Sequence, residues 1–180
     1  MSDLLTPAER VALAKFCADC VIKASRKFDV FVVCDDEDVA QWARSHGAKI
    51  VWQPEAGLNA AVRAGIEFAR KRGKDFAIVT HSDLPLANDF AELIQDESEA
   101  NLKNSVLLVP DRHEDGTNVM VLPTNLAFNF HYGKNSFFAH QQEAKNLGIS
   151  VVIKTDQSLA VDIDTADDLA FAQQLKKLTL

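Results

Sequence analysis

Phe76-Ala77-Ile78-Val79-Thr80 is a short, unbroken apolar run, and His81-Ser82-Asp83-Leu84-Pro85 follows it without a gap. Such a run, without polar alternation, marks a strand buried on both faces. The polar residues behind it then sit where the strand ends. The same signature recurs at 30–34, 48–52, 106–109, 119–122 and 149–153. Segments with apolar residues at helical spacing separate most of these runs. Leu13, Phe16, Cys17, Cys20, Val21 and Ala24 form one stripe, and Leu58, Ala61, Val62, Gly65, Ile66 and Ala69 another. Strands alternating with helices predict an α/β fold with a mostly parallel sheet covered by helices on both faces.

Helix boundaries are written with equal clarity. Thr6-Pro7-Ala8-Glu9 combines a threonine cap, a proline in the first turn and a glutamate three residues after the cap. Asp35-Asp36 opens a second helix that Gly47 closes, and Gly73 ends a third. Further helices are predicted over 89–99, over 137–146 and from Ala166 to about Lys177. No repeat, low-complexity tract or linker divides the chain, so residues 1–180 are predicted to form one domain.

In an open α/β sheet, ligands bind outside the carboxyl ends of the strands. The polar segments of this chain gather there. His81-Ser82-Asp83 follows one strand and residues 111–118 follow another. Ala160-Val161-Asp162-Ile163-Asp164-Thr165 places two aspartates two apart, hence on one side of an extended segment. Neighbouring carboxylates raise each other's pKa unless a cation or proton resolves the repulsion. With Asp83 they form a candidate site for a divalent metal; the competing assignment is that Asp164 or Thr165 caps the last helix. Gly57-Leu58-Asn59 opens a helix whose amides can receive an anion or a base, or is an ordinary glycine turn.

Bulk properties exclude several classes. Nineteen Lys and Arg against 26 Asp and Glu give a net charge of −7, which opposes nucleic acid as the main partner. No apolar run has the length of a membrane span. Three cysteines, an odd number, suit a reducing cytoplasm. Cys17 and Cys20 fall inside a helical stripe and are predicted to be core residues rather than a redox or zinc pair.

Pro110-Asp111-Arg112-His113-x-Asp115-Gly116-Thr117-Asn118, Tyr132-Gly133-x-x-Ser136-Phe137 and Asp162-Ile163-Asp164-Thr165, in this order, resemble the phospholactate guanylyltransferases of coenzyme F-420 biosynthesis. Gly57-Leu58-Asn59-x-Ala61 and Ser82-Asp83-Leu84-Pro85 fit the same pattern. The resemblance implies a three-layer, Rossmann-like nucleotidyltransferase fold of GT-A type, with a mixed, mostly parallel sheet between helices. It implies transfer of GMP from GTP to the phosphate of 2-phospholactate, phosphoenolpyruvate or 3-phosphoglycerate, with release of pyrophosphate. It assigns Asp83, Asp162 and Asp164 as catalytic magnesium ligands, Mg2+ being a hard cation suited to carboxylate and phosphate oxygens. It assigns Thr117, Asn118, Gly133 and Ser136 to the acceptor phosphate, and Gly57, Leu58 and Asn59 to the nucleotide. Arg112 and His113 are either phosphate contacts or surface-loop residues; His131 and His140 receive no role.

Only Met1-Ser2-Asp3-Leu4 precede the Leu5-Thr6-Pro7-Ala8-Glu9-Arg10 motif, where the family carries a strand and a basic loop. The expectation is a chain truncated relative to the family, with ladder groups exposed on two strands. Such edges predict low stability, association of two copies as a homodimer, or filling of the gap by another segment. Two further functions compete: a phospho-acid-binding paralogue without transfer activity, and another metal-dependent nucleotidyltransferase.

Overall fold

The computed structural model describes residues 5–55 and 57–176. Met1 to Leu4, Ala56 and the expected helix end at Lys177 lie outside the described residues. Helix α1 (Pro7–Ala24) begins as its sequence dictates: Thr6 Oγ1 accepts from the Glu9 amide at 3.3 Å, and the Glu9 carboxylate accepts from the Thr6 amide at 2.7 Å. Strand β1 (Phe31–Cys34) leads through an Asp36 cap into α2 (Glu37–Ser45), then β2 (Lys49–Trp52), α3 (Leu58–Lys71) and β3 (Phe76–Thr80). After α4 (Glu99–Lys103) come β4 (Ser105–Pro110), β5 (Thr117–Pro123), α5 (Ser136–Asn146), β6 (Ser150–Ile153) and α6 (Ala166–Lys176).

The single helix expected over 89–99 is a 3-10 turn, Phe90–Leu93, followed by α4. Asp89 accepts from the Ala91 amide and Ser98 accepts from the Asn101 amide. Two capping side chains within ten residues start two short elements in place of one long one.

Two sheets result. In one, β1 pairs with β2 in parallel; in the other the order is β3-β5-β4-β6. The α/β class is as expected, but the sheet is less parallel than predicted. β5 runs antiparallel to both of its neighbours, so two of the four pairings are antiparallel. The larger sheet has a core on each face. Leu107, Val109, Val119 and Val121 point toward Val21 and Ala24 of α1, with Leu84 and Phe90. Val106, Leu108, Met120 and Leu122 point toward Val62 and Ile66 of α3 and Phe137 and Ala144 of α5. The alternation along β4 and β5 builds the three layers.

Among the described residues β1 pairs only with β2, and β3 only with β5. Every residue of β1 and β3 is part-buried, whereas every residue of β4 and β5 is buried. Helix α3 links the two sheets through side chains. A Cβ on Gly65 would lie 3.1 Å from Val33 Cγ2, and Phe68 meets Phe31 edge-on at 5.2 Å. One turn away, Val62 and Ile66 pack on the larger sheet.

Candidate functional site

Because β5 is antiparallel, its first residues, Thr117 and Asn118, lie beside the carboxyl ends of β3 and β4. The Asn118 carbonyl accepts from the His81 amide at 3.2 Å, which sets the exit of β3 against the start of β5. The Asp83 carbonyl accepts from the Ile163 amide at 3.2 Å, which brings the 162–164 segment to the same edge. Three aspartates predicted from sequence therefore share one end of the sheet.

Their electrostatics follow from that placement. Burial raises the pKa of Asp83, and the charge of Asp164 adds to the rise while His81 opposes it. One oxygen of Asp83, Oδ1, is buried without a hydrogen-bond partner, the nearby His81 Nδ1 lying 3.9 Å away. Burial also raises the pKa of Asp162; Asn118 Nδ2, 3.4 Å from its Oδ1, opposes the shift, and Asp83 and Asp164 reinforce it. A buried carboxylate oxygen lacking a donor, beside two more carboxylates, has the chemistry of a hard-cation site. The side chains are not drawn into a coordination-sized group: among the described residues no three His, Cys, Asp or Glu side chains stand close enough to hold a metal ion.

The loop between β4 and β5 is built by Asp111. Its carboxylate accepts from the amides of His113 at 2.8 Å, Asp115 at 3.1 Å and Gly116 at 2.7 Å. Gly116 leaves room for this carboxylate: a Cβ there would lie 2.8 Å from Asp111 Oδ2 and force it to shift. Arg112 is committed to Asp168, through Nε at 2.8 Å and Nη2 at 2.7 Å. Asp168 in turn accepts from the amide and hydroxyl of Thr165, and Thr165 Oγ1 accepts from the Asp168 amide. Thr165 thus caps α6, as the competing assignment expected, and Arg112 pins the loop to that cap.

Thr117, Asn118 and Ser136 are at most 2% exposed. Ser136 Oγ accepts from the Thr117 amide at 3.0 Å, Thr117 Oγ1 is 2.9 Å from His140 Nδ1, and Asn118 Nδ2 donates to the Leu159 carbonyl at 3.0 Å. Gly133 has φ +129° and open space where a Cβ would point, leaving room over the turn into α5. Two amides of that turn are occupied by Asp115: its carbonyl accepts from Phe137 at 3.1 Å and its carboxylate from Asn135 at 3.3 Å.

On the smaller sheet, a cavity of about 140 Å³ lies beside Gly57 and Leu58, with Val33, Asp35 and Glu55 also on its wall. Asn59 does not line it. Its Oδ1 accepts from the Tyr132 amide at 2.7 Å and its Nδ2 donates to the Tyr132 carbonyl at 3.3 Å. Cys17 is buried, and burial, reinforced by the Asp83 charge, pushes its thiol pKa up to about 12. It is a core residue, as its helical position predicted.

The family model for guanylyl transferase CofC-like proteins matches residues 1–172. The chain belongs to this family. It is 36% identical over 171 residues to the phosphoenolpyruvate guanylyltransferase of Sphaerobacter thermophilus, covering 92% of this chain and 81% of that one. It is 34% identical over 174 residues to the 2-phospho-L-lactate guanylyltransferase of Methanothermobacter thermautotrophicus, covering 94% and 75%. Family membership puts the chain among the nucleotidyltransferases. Its fold is similar to a crystal structure from Desulfovibrio desulfuricans G20 provisionally named a nucleotide-diphospho-sugar transferase, with a TM-score of 0.71 at 14% identity, covering 93% and 76%.

Sequence reasoning missed three participants at this edge. His140 is fully buried against Thr117; its signal was its position four residues after Ser136, on the same face of α5. Asp115 was quoted only as part of a motif, and its hold on the start of α5 is tertiary. Tyr132 is 9% exposed, its ring lies tilted beside that of His81 at 5.4 Å, and its hydroxyl has no partner among the described residues. Burial pushes that phenol well above its ordinary pKa, so it stays protonated and acts only as a neutral group.

Proposed function

We propose that this chain transfers GMP from GTP to the phosphate of a small phospho-acid, phosphoenolpyruvate or 2-phospholactate, within coenzyme F-420 biosynthesis. The observation that carries the reading is the meeting, at one sheet edge, of Asp83, Asp162 and Asp164 with the Thr117-Asn118 and Gly133-to-Ser136 segments. Names of the relatives support the choice of acceptor; 3-phosphoglycerate is a third candidate of the same chemistry.

An acceptor phosphate oxygen attacks the α-phosphorus of GTP, the bond to the β,γ-phosphates breaks, and pyrophosphate leaves. No covalent intermediate on the protein is needed. Thr117, Ser136 and the backbone at Gly133 hold the acceptor phosphate, and this orientation is their contribution to rate. Asp83, Asp162 and Asp164 would hold Mg2+, which when bound offsets the negative charge of the phosphates. Asp83 Oδ1, buried and lacking a donor, supports that fit. The cavity beside Gly57 and Leu58 takes the nucleobase. Asp35 and Glu55 on its wall supply carboxylate acceptors, which suit the N–H donors of guanine.

The test measures pyrophosphate release from GTP, and from ATP in parallel, with magnesium and each of the three phospho-acids. Release with GTP and one phospho-acid is expected. A folded chain that releases none with any acceptor overturns the assignment.

A further inference from the structure

His140 is enclosed completely in α5, and its two ring nitrogens have different partners. Nε2 lies 3.0 Å from the His131 backbone nitrogen. A backbone amide can only donate, so Nε2 is the acceptor and bears no proton. Burial, reinforced by the charges of His131 and His81 against that of Glu143, lowers the His140 pKa to about 4, so the ring is neutral and carries its single proton on Nδ1. Nδ1 lies 2.9 Å from Thr117 Oγ1. The imidazole therefore donates to Thr117, and the hydrogen of the Thr117 hydroxyl is directed elsewhere.

Ser136 is arranged in the same way. Its Oγ accepts the Thr117 amide at 3.0 Å, which leaves its hydroxyl hydrogen unspent on that bond. Two neighbouring hydroxyls thus receive hydrogen bonds from groups that can only donate in this geometry. Each has one proton left to give, and among the described residues neither is assigned an acceptor for it. The turn opens beside Gly133, where a Cβ would meet nothing within 4 Å. An acceptor-only anion that reaches these two hydroxyls would meet two groups with a proton to give.

We infer that His140 is a positioning residue that, through a fixed Nδ1–H tautomer, holds the Thr117 hydroxyl as a donor to the phosphate of the acceptor substrate. This rests on the phospho-acid function proposed above. Nothing about it requires His140 to touch the substrate or move a proton. Its effect is to prevent Thr117 from turning its hydrogen inward, where it would present lone pairs to an anion.

Two substitutions separate this role from a merely structural one. In His140→Asn the side-chain amide nitrogen occupies the place of Nδ1 and still donates to Thr117, while the bond from His131 is lost. In His140→Gln the terminal amide oxygen reaches the place of Nε2 and still accepts from His131, while the donor to Thr117 is lost. Calorimetry with phosphoenolpyruvate and 2-phospholactate, and the KM for GTP, are read for each. His140→Gln is expected to weaken phospho-acid binding roughly tenfold or more, as for a lost hydrogen bond to a charged group. His140→Asn is expected to stay within about threefold of the parent, and the KM for GTP to change less than about twofold in both. Equal loss in the two variants, or better binding by Gln, overturns the inference.

Nitrogen-15 shifts of histidine in the unsubstituted chain provide a measurement independent of variant folding. They are expected to report a neutral Nδ1–H ring for His140 at pH 7; an Nε2–H or charged ring overturns the assignment. A parent that binds neither phospho-acid sinks the functional reading and this role with it. It is recognised as that failure because the tautomer stands unchanged.

Discussion

The Asn59 side chain closes a two-bond ring with the backbone of Tyr132, accepting its N–H at 2.7 Å and donating to its carbonyl at 3.3 Å. The residues are 73 apart in sequence and belong to different parts of the site. Asn59 lies in the first turn of α3, next to Gly57 and Leu58 of the cavity wall, and Tyr132 precedes the Gly133 turn. Removing the ring with Asn59→Ala leaves two backbone groups unpaired and is expected to destabilise the chain by about 1–3 kcal/mol. Urea denaturation measures this, and the phospho-acid affinity should fall with it.

Asp83 and Asp162 make the folded chain more stable as pH falls. Burial raises their pKa values in the folded state, so the folded chain binds protons more tightly than the unfolded one. Their penalty is absent below the ordinary carboxylate pKa and grows as pH rises through the raised values. Asp162→Asn should therefore have a higher Tm than the parent at pH 7 in the absence of metal. It should also lose magnesium-dependent turnover and any magnesium-induced rise in Tm, read by thermal melts with and without the ion.

His140 acts in the opposite direction. Its folded pKa of about 4 lies below the ordinary value of 6.5, so its contribution is complete above pH 6.5 and is lost as pH falls toward 4. The loss across that window is on the order of 2–3 kcal/mol. Stability measured from pH 7.5 to 4.5 should show this limb in the parent and not in His140→Gln.

Gly133 has φ +129°, so a side chain there is strained although the space is open. Gly133→Ala should cost about 1–3 kcal/mol of stability. Gly133→Val adds more bulk to the open space at this turn and should reduce phospho-acid affinity more than Gly133→Ala does, for a similar loss of stability. Calorimetry and denaturation on the two variants provide the comparison.

The strands were legible because continuous apolar runs leave little alternative, and the Thr6–Glu9 box and Asp36 cap were legible because their bonds are local. The direction of β5 was also available in the sequence. The connection between β4 and β5 is too short for a parallel crossover, which needs a dozen or more residues. The break in the 89–99 helix was carried by Asp89 and Ser98, two good caps read as one helix. The aspartates were visible from their spacing and their position at strand ends. The engagement of Thr117 with His140, of Asn118 with Leu159 and of Asn59 with Tyr132 was not visible. Each joins residues at least 23 apart, and no periodicity within either segment encodes the partner.

Among the described residues no ladder of hydrogen bonds joins β1 to β3, so the two sheets meet there through side chains. Sliding one strand past another inside either sheet breaks a ladder of hydrogen bonds. Sliding β1 past β3 breaks no ladder among the described residues; what resists it there is the packing of α3, the Asn59–Tyr132 ring and the ion pair of Lys74 with Asp29. A nucleotide seated at Gly57 and Leu58 and a phospho-acid seated at the Gly133 turn rest on opposite banks of that seam. In the proposed reaction the joined product would span it and touch both banks at once, whereas either fragment alone would touch only one.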